Sequence, residues 1–121
     1  MNILIVDDSK YLRTKLVSYL KNNSYKNIFE AGNELEAEVI LKKYKIDLIL
    51  LDIIMENEDS GLRILKKVRD KGSKTKVIIV SVVEHDKVLG EAMRLGANGY
   101  ISKPVMESRL LLEINKVLKL K

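Results

Sequence analysis

Three short, continuous apolar runs constrain the fold of this chain more than any other feature. They cover residues 3–6, 48–51 and 77–80, and no polar residue interrupts any of them. A strand with one face in water alternates apolar and polar residues, whereas a strand buried on both faces reads as an unbroken apolar run. The runs therefore predict strands of a parallel sheet that is covered on both sides.

The segments between these runs carry apolar residues at helical spacing, which predicts five amphipathic helices. Asn33 followed by Glu36 resembles a capping box at a helix start, while Gly72 and Gly96 stand where helices are expected to end. The predicted apolar stripes are Leu12, Leu16, Tyr19 and Leu20; Leu35, Val39 and Ile40; Leu62, Leu65 and Val68; Val88, Ala92 and Leu95; and Met106, Leu110, Ile114, Val117 and Leu118.

Two weaker strands, at 27–31 and 99–102, complete an alternation of five strands and five helices. Such alternation implies right-handed crossovers with helices on both faces of the sheet. We expect an α/β fold of the flavodoxin-like, doubly wound (βα)5 type, with a five-stranded parallel sheet in the order 2-1-3-4-5. At 121 residues the chain is expected to form a single domain over 1–121.

Composition excludes several kinds of site. The chain has no cysteine, so it can form neither a disulfide nor a thiolate metal site. No apolar run approaches the ~20 residues that a membrane span needs, and we expect a cytoplasmic protein without membrane contact. The 22 basic residues exceed the 17 acidic ones, giving a net charge of +5, so nucleic acid is the first partner to consider.

Polar side chains end four of the predicted strands. Asp7-Asp8, Asp52, Ser81 and Lys103-Pro104 follow strands one, three, four and five. In an open doubly wound sheet, ligands bind beyond the carboxyl ends of the strands where strand order reverses, here between strands one and three. The sequence therefore places three carboxylates and one lysine at the expected site.

Three adjacent carboxylates repel one another unless their pKa values rise or a cation neutralises them. Oxygen ligands favour a hard cation, so we expect Mg²⁺, with Mn²⁺ or Ca²⁺ as substitutes. Taken alone, Asp7-Asp8 could equally form a strand-end turn and a helix cap. The match with Asp52 and Lys103 at neighbouring strand ends favours the ion site.

These motifs together resemble those of the response-regulator receiver domain. The resemblance extends over residues 2 to about 118 and depends on their order and spacing. It rests on Asp7-Asp8, on the segment 51–55 that contains Asp52, on Ser81, and on the segment 96–104 that ends in Lys103-Pro104. It implies a two-component signalling protein rather than a conventional enzyme.

By this resemblance, Asp52 is the phosphoryl acceptor and Lys103 contacts its carboxylate and then the phosphoryl oxygens. Mg²⁺ would be bound by Asp8, Asp52 and the backbone carbonyl of Ile54, while Asp7 would hold a metal-bound water or orient the cluster. Phosphoryl transfer depends mainly on alignment and charge neutralisation, which these groups can supply.

The resemblance also implies a conformational switch. Ser81 would donate a hydrogen bond to a phosphoryl oxygen, and Tyr100 would move inward in response, unless it is simply packed at the sheet edge. The Lys103–Pro104 peptide bond is commonly cis in the family, which Pro104 allows. The fourth helix, fifth strand and fifth helix would form the output face, which a downstream protein binds.

Partners follow from the same resemblance. The phosphodonor would be a histidine kinase or a phosphotransfer protein, and the chain would be a monomer or a phosphorylation-dependent dimer. The single His85 is interpreted as a surface residue and not as a phosphodonor. Direct nucleic-acid binding is not expected, because the lysines are dispersed over helix exteriors and no nucleic-acid motif is present.

Several positions depart from the family pattern. Glu56 replaces a common proline, Ser60-Gly61 comes one residue late, and Val82 replaces a small residue. The loop of residues 56–60 is therefore longer and more acidic, through Glu56, Glu58 and Asp59. Because the apolar Ile54 and Val83 flank the acceptor, we expect slow autodephosphorylation.

One alternative remains open, and particular residues argue against two other classes of protein. The chain could be a receiver domain cut from a longer regulator that carries a DNA-binding or enzymatic output domain. A flavodoxin-like cofactor module would share the fold, but Asp7-Asp8 would repel a phosphate. A haloacid-dehalogenase-like phosphatase would carry a second acid two residues after its nucleophile, where this chain has Ile54.

Overall fold

The chain forms a five-stranded parallel sheet flanked by five helices, as the sequence predicts. A computed structural model describes residues 1–55, 60–82 and 86–119. The strands are β1 (Asn2–Val6), β2 (Asn27–Ala31), β3 (Leu48–Asp52), β4 (Lys76–Ser81) and β5 (Gly99–Ser102). The helices are α1 (Lys10–Asn22), α2 (Glu34–Lys43), α3 (Ser60–Asp70), α4 (Asp86–Arg94) and α5 (Glu107–Leu118).

The strand order is β2-β1-β3-β4-β5, with every neighbouring pair parallel, which confirms the predicted fold class. Side chains of the central strands alternate between two cores. In β3, for example, Ile49 and Leu51 face one core while Leu48 and Leu50 face the other. Both sets are buried, which is why these strands read as continuous apolar runs.

Helices cover both faces of the sheet. Helices α2, α3 and α4 contribute to one core through residues such as Ala37, Leu65 and Ala92. Helices α1 and α5 contribute to the other through residues such as Leu16 and Ile114. Within the described part of the chain, no helix has the length and apolar character needed to cross a membrane.

The predicted helix ends are confirmed. Asn33 is the N-cap of α2, and its side chain accepts a hydrogen bond from the Glu36 backbone N–H at 2.9 Å. Gly72 and Gly96 have φ values of +72° and +105°, a left-handed conformation that favours glycine after a helix.

Two predicted apolar positions of α2 are wrong. Leu35 and Val39 are 71% and 57% exposed, whereas Ala37 is fully buried and Ile40 packs against the core. The small Ala37 allows α2 to lie close to the sheet, and this contact rotates Leu35 and Val39 toward water. Met106 is also exposed, because it is the N-cap of α5 rather than part of its buried stripe.

Candidate functional site at the carboxyl edge of the sheet

The predicted site residues lie at the same edge of the sheet. Asp52 and Ser81 are the last residues of β3 and β4, Asp7 and Asp8 directly follow β1, and Lys103 directly follows β5. Parallel strands bring these ends together at the point between β1 and β3 where strand order reverses. The edge therefore collects the polar residues that the sequence analysis selected.

Asp7, Asp8 and Asp52 form a cluster in which one carboxylate oxygen from each lies within 4.8 Å of the others. Asp7 and Asp52 are almost fully buried, whereas Asp8 is exposed. Carboxylate oxygens at such spacing suit a hard divalent cation such as Mg²⁺. The exposed Asp8 leaves the cluster open to water on one side.

Lys103 neutralises part of this negative charge. Its ammonium nitrogen lies 3.1 Å from Asp52 Oδ2 and 3.2 Å from Asp7 Oδ2. The Lys103 backbone N–H donates a hydrogen bond to the Ser81 carbonyl at 2.7 Å, and the Lys103–Pro104 peptide bond is cis. The lysine thus bridges two carboxylates while its backbone is tied to the end of β4.

Backbone N–H groups orient both buried carboxylates. Asp52 Oδ1 accepts a hydrogen bond from the Ile54 N–H at 3.0 Å, and Asp7 Oδ1 accepts one from the Ser9 N–H at 2.8 Å. Each carboxylate therefore directs its Oδ2 atom toward Lys103. Ser9, and not Asp7 or Asp8, is the N-cap of α1, since its hydroxyl accepts from the Leu12 N–H.

Two buried polar atoms at this edge lack a hydrogen-bond partner within the described residues. They are Asp7 Oδ2 and Ser81 Oγ. Asp7 Oδ2 is close to the Lys103 ammonium, but this contact is an ion pair without hydrogen-bond alignment. Buried polar groups without partners are costly, so both atoms fit a site that a ligand completes. The acidic cluster and these two atoms together fit a cation and a further polar ligand.

The surroundings of Asp52 disfavour the ionised form of its carboxyl group. Burial, together with the charge of Asp7, raises the pKa of Asp52 to about 6. Lys103 and the Ile54 N–H oppose this effect only in part. Burial lowers the pKa of Lys103, but the charges of Asp52 and Asp7 outweigh burial and raise it.

We expect Asp52→Asn to stabilise the metal-free protein. A carboxyl with a raised pKa in the folded state costs nothing below about pH 4, and its cost grows until the pH exceeds about 6. The free energy of unfolding of the Asn variant should therefore exceed that of the wild type by about 3 kcal/mol above pH 7. The gain should vanish near pH 4.

Urea unfolding in a chelating buffer across this pH range measures the effect. Asp70→Asn is the matched control, because the Asp70 side chain is 66% exposed and, within the described residues, forms an ion pair only with Lys66 along α3. Equal stability of the wild type and Asp52→Asn at pH 7.5 would contradict the electrostatic description.

Tyr100 lies in β5, partly buried against the core formed with α2, α3 and α4. Its backbone N–H donates a 3.4 Å hydrogen bond to Glu113 Oε2, and Arg109 forms an ion pair with the same carboxylate. Glu113 is 4% exposed, and a Cβ atom at Gly99 would lie 2.6 Å from its Oε2. Gly99 thus leaves room for a buried carboxylate that connects α5 to β5.

Sequence reasoning missed two residues that build the site. Arg13 donates a 2.6 Å hydrogen bond from Nη1 to the Asp7 carbonyl, and its Nε pairs with Glu30 at 3.1 Å. Gly61 lies where a Cβ atom would be 2.6 Å from both the Asp52 carbonyl oxygen and Ile53 Cα. The position of Gly61 after a serine marked only a helix start, and nothing near Arg13 in the sequence singled it out.

Several residues for which the sequence makes a prediction lie outside the described ranges. Glu56, Glu58, Asp59, Val83 and His85 belong to this group. Val82 is partly exposed next to Ser81. Slow autodephosphorylation therefore stays a prediction.

The family model described as the response regulator receiver domain matches residues 3–115 of the sequence. The chain is 33% identical to the chemotaxis protein CheY of Listeria monocytogenes over 119 residues, which cover 98% of this chain and 99% of that protein. It is also 33% identical to the oxygen regulatory protein NreC of Staphylococcus aureus, but covers only 55% of that protein.

Solved structures agree in architecture. A CheY-like receiver domain protein from Methanospirillum hungatei is 26% identical, with a TM-score of 0.88 over 98% of this chain and 93% of that one. The receiver domain of NtrX from Brucella abortus, at 24% identity, has a TM-score of 0.89 over 99% of this chain and 100% of that one. At its lower sequence identity, the likeness to the NtrX receiver domain supports the fold alone.

Proposed function

Because this chain belongs to the response regulator receiver domain family, we propose that Asp52 accepts a phosphoryl group from a phosphorylated histidine. Proteins of this family act in signalling and are not conventional enzymes. The observation that carries the proposal is the position of the Lys103 ammonium between Asp52 Oδ2 and Asp7 Oδ2. A positive charge at the acceptor carboxylate can stabilise the phosphoryl oxygens during transfer.

In the proposed step, an Asp52 carboxylate oxygen forms a bond to phosphorus while the bond from phosphorus to the donor's imidazole nitrogen breaks. The imidazole leaves with the bonding electron pair, and the product is an acyl phosphate on Asp52. The Ile54 N–H and Lys103 hold the two carboxylate oxygens of Asp52 before transfer. This preorganisation supplies the alignment that phosphoryl transfer needs.

Asp8, Asp52 and the Ile54 carbonyl would hold Mg²⁺, with Asp7 orienting the cluster or holding a metal-bound water. When bound, Mg²⁺ supplies charge neutralisation for the phosphoryl oxygens. Mn²⁺ or Ca²⁺ could take its place, because all three prefer oxygen ligands. The close grouping of the three carboxylates supports this assignment.

The unpartnered Ser81 hydroxyl supports a role in sensing the phosphoryl group. Its hydrogen bond to a phosphoryl oxygen would favour one of two arrangements of Tyr100 and of the α4–β5–α5 face. A phosphoryl group adds nearly two negative charges, enough to shift such an equilibrium. A downstream protein would then bind the favoured arrangement.

Acetyl phosphate, a small phosphodonor, tests the proposed chemistry without a kinase. With Mg²⁺ present, the intact mass should rise by one phosphoryl group, and chelation of Mg²⁺ should prevent the gain. The same measurement with Asp8→Asn should show uptake that requires a much higher Mg²⁺ concentration. Uptake at full rate in excess chelator would contradict the role of the acidic cluster.

The wider setting is part of the proposal. The phosphodonor would be a histidine kinase or phosphotransfer protein in the cytoplasm, and the domain over 1–121 would be a monomer or a phosphorylation-dependent dimer. CheY, which the chain covers to 99%, provides an example of a receiver that makes up a whole protein. The match to about half of NreC supports the alternative, a receiver within a longer regulator.

A further inference from the structure

A cavity lies at the end of the sheet opposite to Asp52. It has a volume of about 440 Å³ and lies between the carboxyl-terminal ends of α2 and α3. Residues of the loops that lead into β3 and β4 also line it. The five-residue strand β3 spans roughly 16 Å between Asp52 and the loop that lines the cavity, so the two sites lie at opposite ends of the strand.

The floor of the cavity is apolar. Ile46, Ile64 and Val68 line it and are buried, and Leu41 adds a partly buried side chain. Tyr44 forms an aromatic wall that is 38% exposed, with its ring centroid 4.4 Å from that of Phe29. An apolar body could therefore be buried here against both aliphatic and aromatic surfaces.

The rim is strongly basic. Two carboxylates on it have partners, since Glu38 pairs with Lys67 and Asp47 accepts a hydrogen bond from the Asn2 N–H at 2.8 Å. Glu34 also pairs with Lys67. The remaining rim lysines form no ion pair with any residue of the described ranges; they are Lys42, Lys45, Lys71 and Lys74.

Helix dipoles explain the positions of only some of these lysines. Lysines in the last turn of a helix interact favourably with its dipole, which explains Lys42 at the end of α2. Lys45 and Lys74 lie beyond the helices, in the loops that precede β3 and β4. Lysines that converge on an apolar hollow raise the local concentration of anions.

Hydrogen bonds hold the rim in place. Arg69 donates from Nη1 to the Ser73 carbonyl at 3.1 Å and to the Thr75 carbonyl at 2.7 Å. The Thr75 hydroxyl donates to the Ile46 carbonyl at 2.8 Å, which joins the two loops directly. The cavity is therefore largely preformed, and ligand binding would cost little ordering of the backbone.

We propose that this cavity binds a small amphipathic organic anion. Its apolar body would lie on Ile46, Ile64 and Val68 beside Tyr44, and its anionic group would contact Lys45, Lys71 and Lys74. The volume falls in the range of small-molecule sites, about 300–1,000 Å³, which favours a small molecule over a protein segment. This inference goes beyond the proposed phosphoryl chemistry.

The probe pair 1-anilinonaphthalene-8-sulfonate and N-phenyl-1-naphthylamine tests the proposal, because the second compound lacks the sulfonate. Fluorescence titration should show saturable binding of the sulfonate at one site, and binding of the neutral analogue should be at least tenfold weaker. Amide NMR shifts on adding the sulfonate should concentrate at Ile46, Val68 and Thr75.

Charge-reversal variants separate the cavity from general electrostatics. Lys71→Glu combined with Lys74→Glu should weaken sulfonate binding at least tenfold. Lys21→Glu combined with Lys116→Glu changes the net charge equally, at exposed positions of α1 and α5 outside the cavity, and should weaken it less than twofold. Thermal unfolding and amide spectra confirm that each variant is folded.

Three results would overturn the proposal: no saturable binding by the wild type, equal weakening in both double variants, or shifts at residues away from the cavity. Equal binding of the two probes would overturn the role of the lysines. Phosphoryl uptake at Asp52 is measured separately by mass, so failure here leaves the proposed function untouched.

Discussion

Gly61→Ala is expected to destabilise the fold by about 2–3 kcal/mol and to slow phosphoryl uptake at Asp52. A Cβ atom at this position would lie 2.6 Å from the Asp52 carbonyl oxygen and from Ile53 Cα. Both contacts are with backbone, so the strand end or α3 must move. Urea unfolding measures the stability, and intact mass after incubation with acetyl phosphate and Mg²⁺ measures the uptake.

Gly90→Ala is the matched control for this substitution. Gly90 lies in α4, and a Cβ atom there would meet nothing within 4 Å. Alanine favours helix over glycine, so this variant should be more stable by about 0.5–1 kcal/mol. Equal stability of the two alanine variants would show that α3 does not need the close approach at Gly61.

Lys103→Met is expected to slow phosphoryl uptake by about 100-fold, the usual effect of removing one group that stabilises a developing negative charge. Methionine keeps much of the length and apolar character of lysine but removes the ammonium that lies 3.1 Å from Asp52 Oδ2. Without it, Asp7 and Asp52 lose the positive charge they share. The rate of mass gain with acetyl phosphate measures the loss.

Lys66→Met provides the control for Lys103. The Lys66 side chain is 61% exposed and, among the residues that the structure describes, forms an ion pair only with the exposed Asp70, so uptake by this variant should equal that of the wild type. A rate for Lys103→Met within twofold of the wild type would contradict the role assigned to the ammonium.

The sheet could be predicted because its central strands are buried on both faces. Ile3, Ile49 and Ile78 show this directly, since each lies in a continuous apolar run and is completely buried. Helix α2 was predicted less well, because its sequence offers apolar residues on two faces. The contact of Ala37 with the core decides between the faces, and that contact depends on tertiary packing.

The central site residues could be predicted because strand order brings their strand ends together. Asp7, Asp52 and Lys103 needed only the topology and the positions of three strands. The supporting residues could not be found in this way. The Gly61 contact depends on how closely α3 approaches β3, and Glu113 is buried by its position under β5.

The grouping of lysines around the cavity also could not be predicted from the sequence. Composition alone suggested nucleic acid, and the lysines were predicted to be dispersed over helix exteriors. Lys45 lies in the connection between α2 and β3, whereas Lys71 and Lys74 lie in the connection between α3 and β4, yet the fold places all three around one cavity. The convergence of residues from these two separate segments depends on the three-dimensional arrangement.

Phosphoryl uptake at a single residue tests the central claim most directly. The wild type, Asp52→Asn and Asp70→Asn are incubated with acetyl phosphate and Mg²⁺, and the intact mass of each is followed with time. We predict a gain of one phosphoryl group by the wild type and Asp70→Asn and no gain by Asp52→Asn. Uptake by Asp52→Asn at the rate of the wild type, or no uptake by the wild type from acetyl phosphate or any phosphorylated histidine kinase, would contradict the assignment of Asp52 as the phosphoryl acceptor.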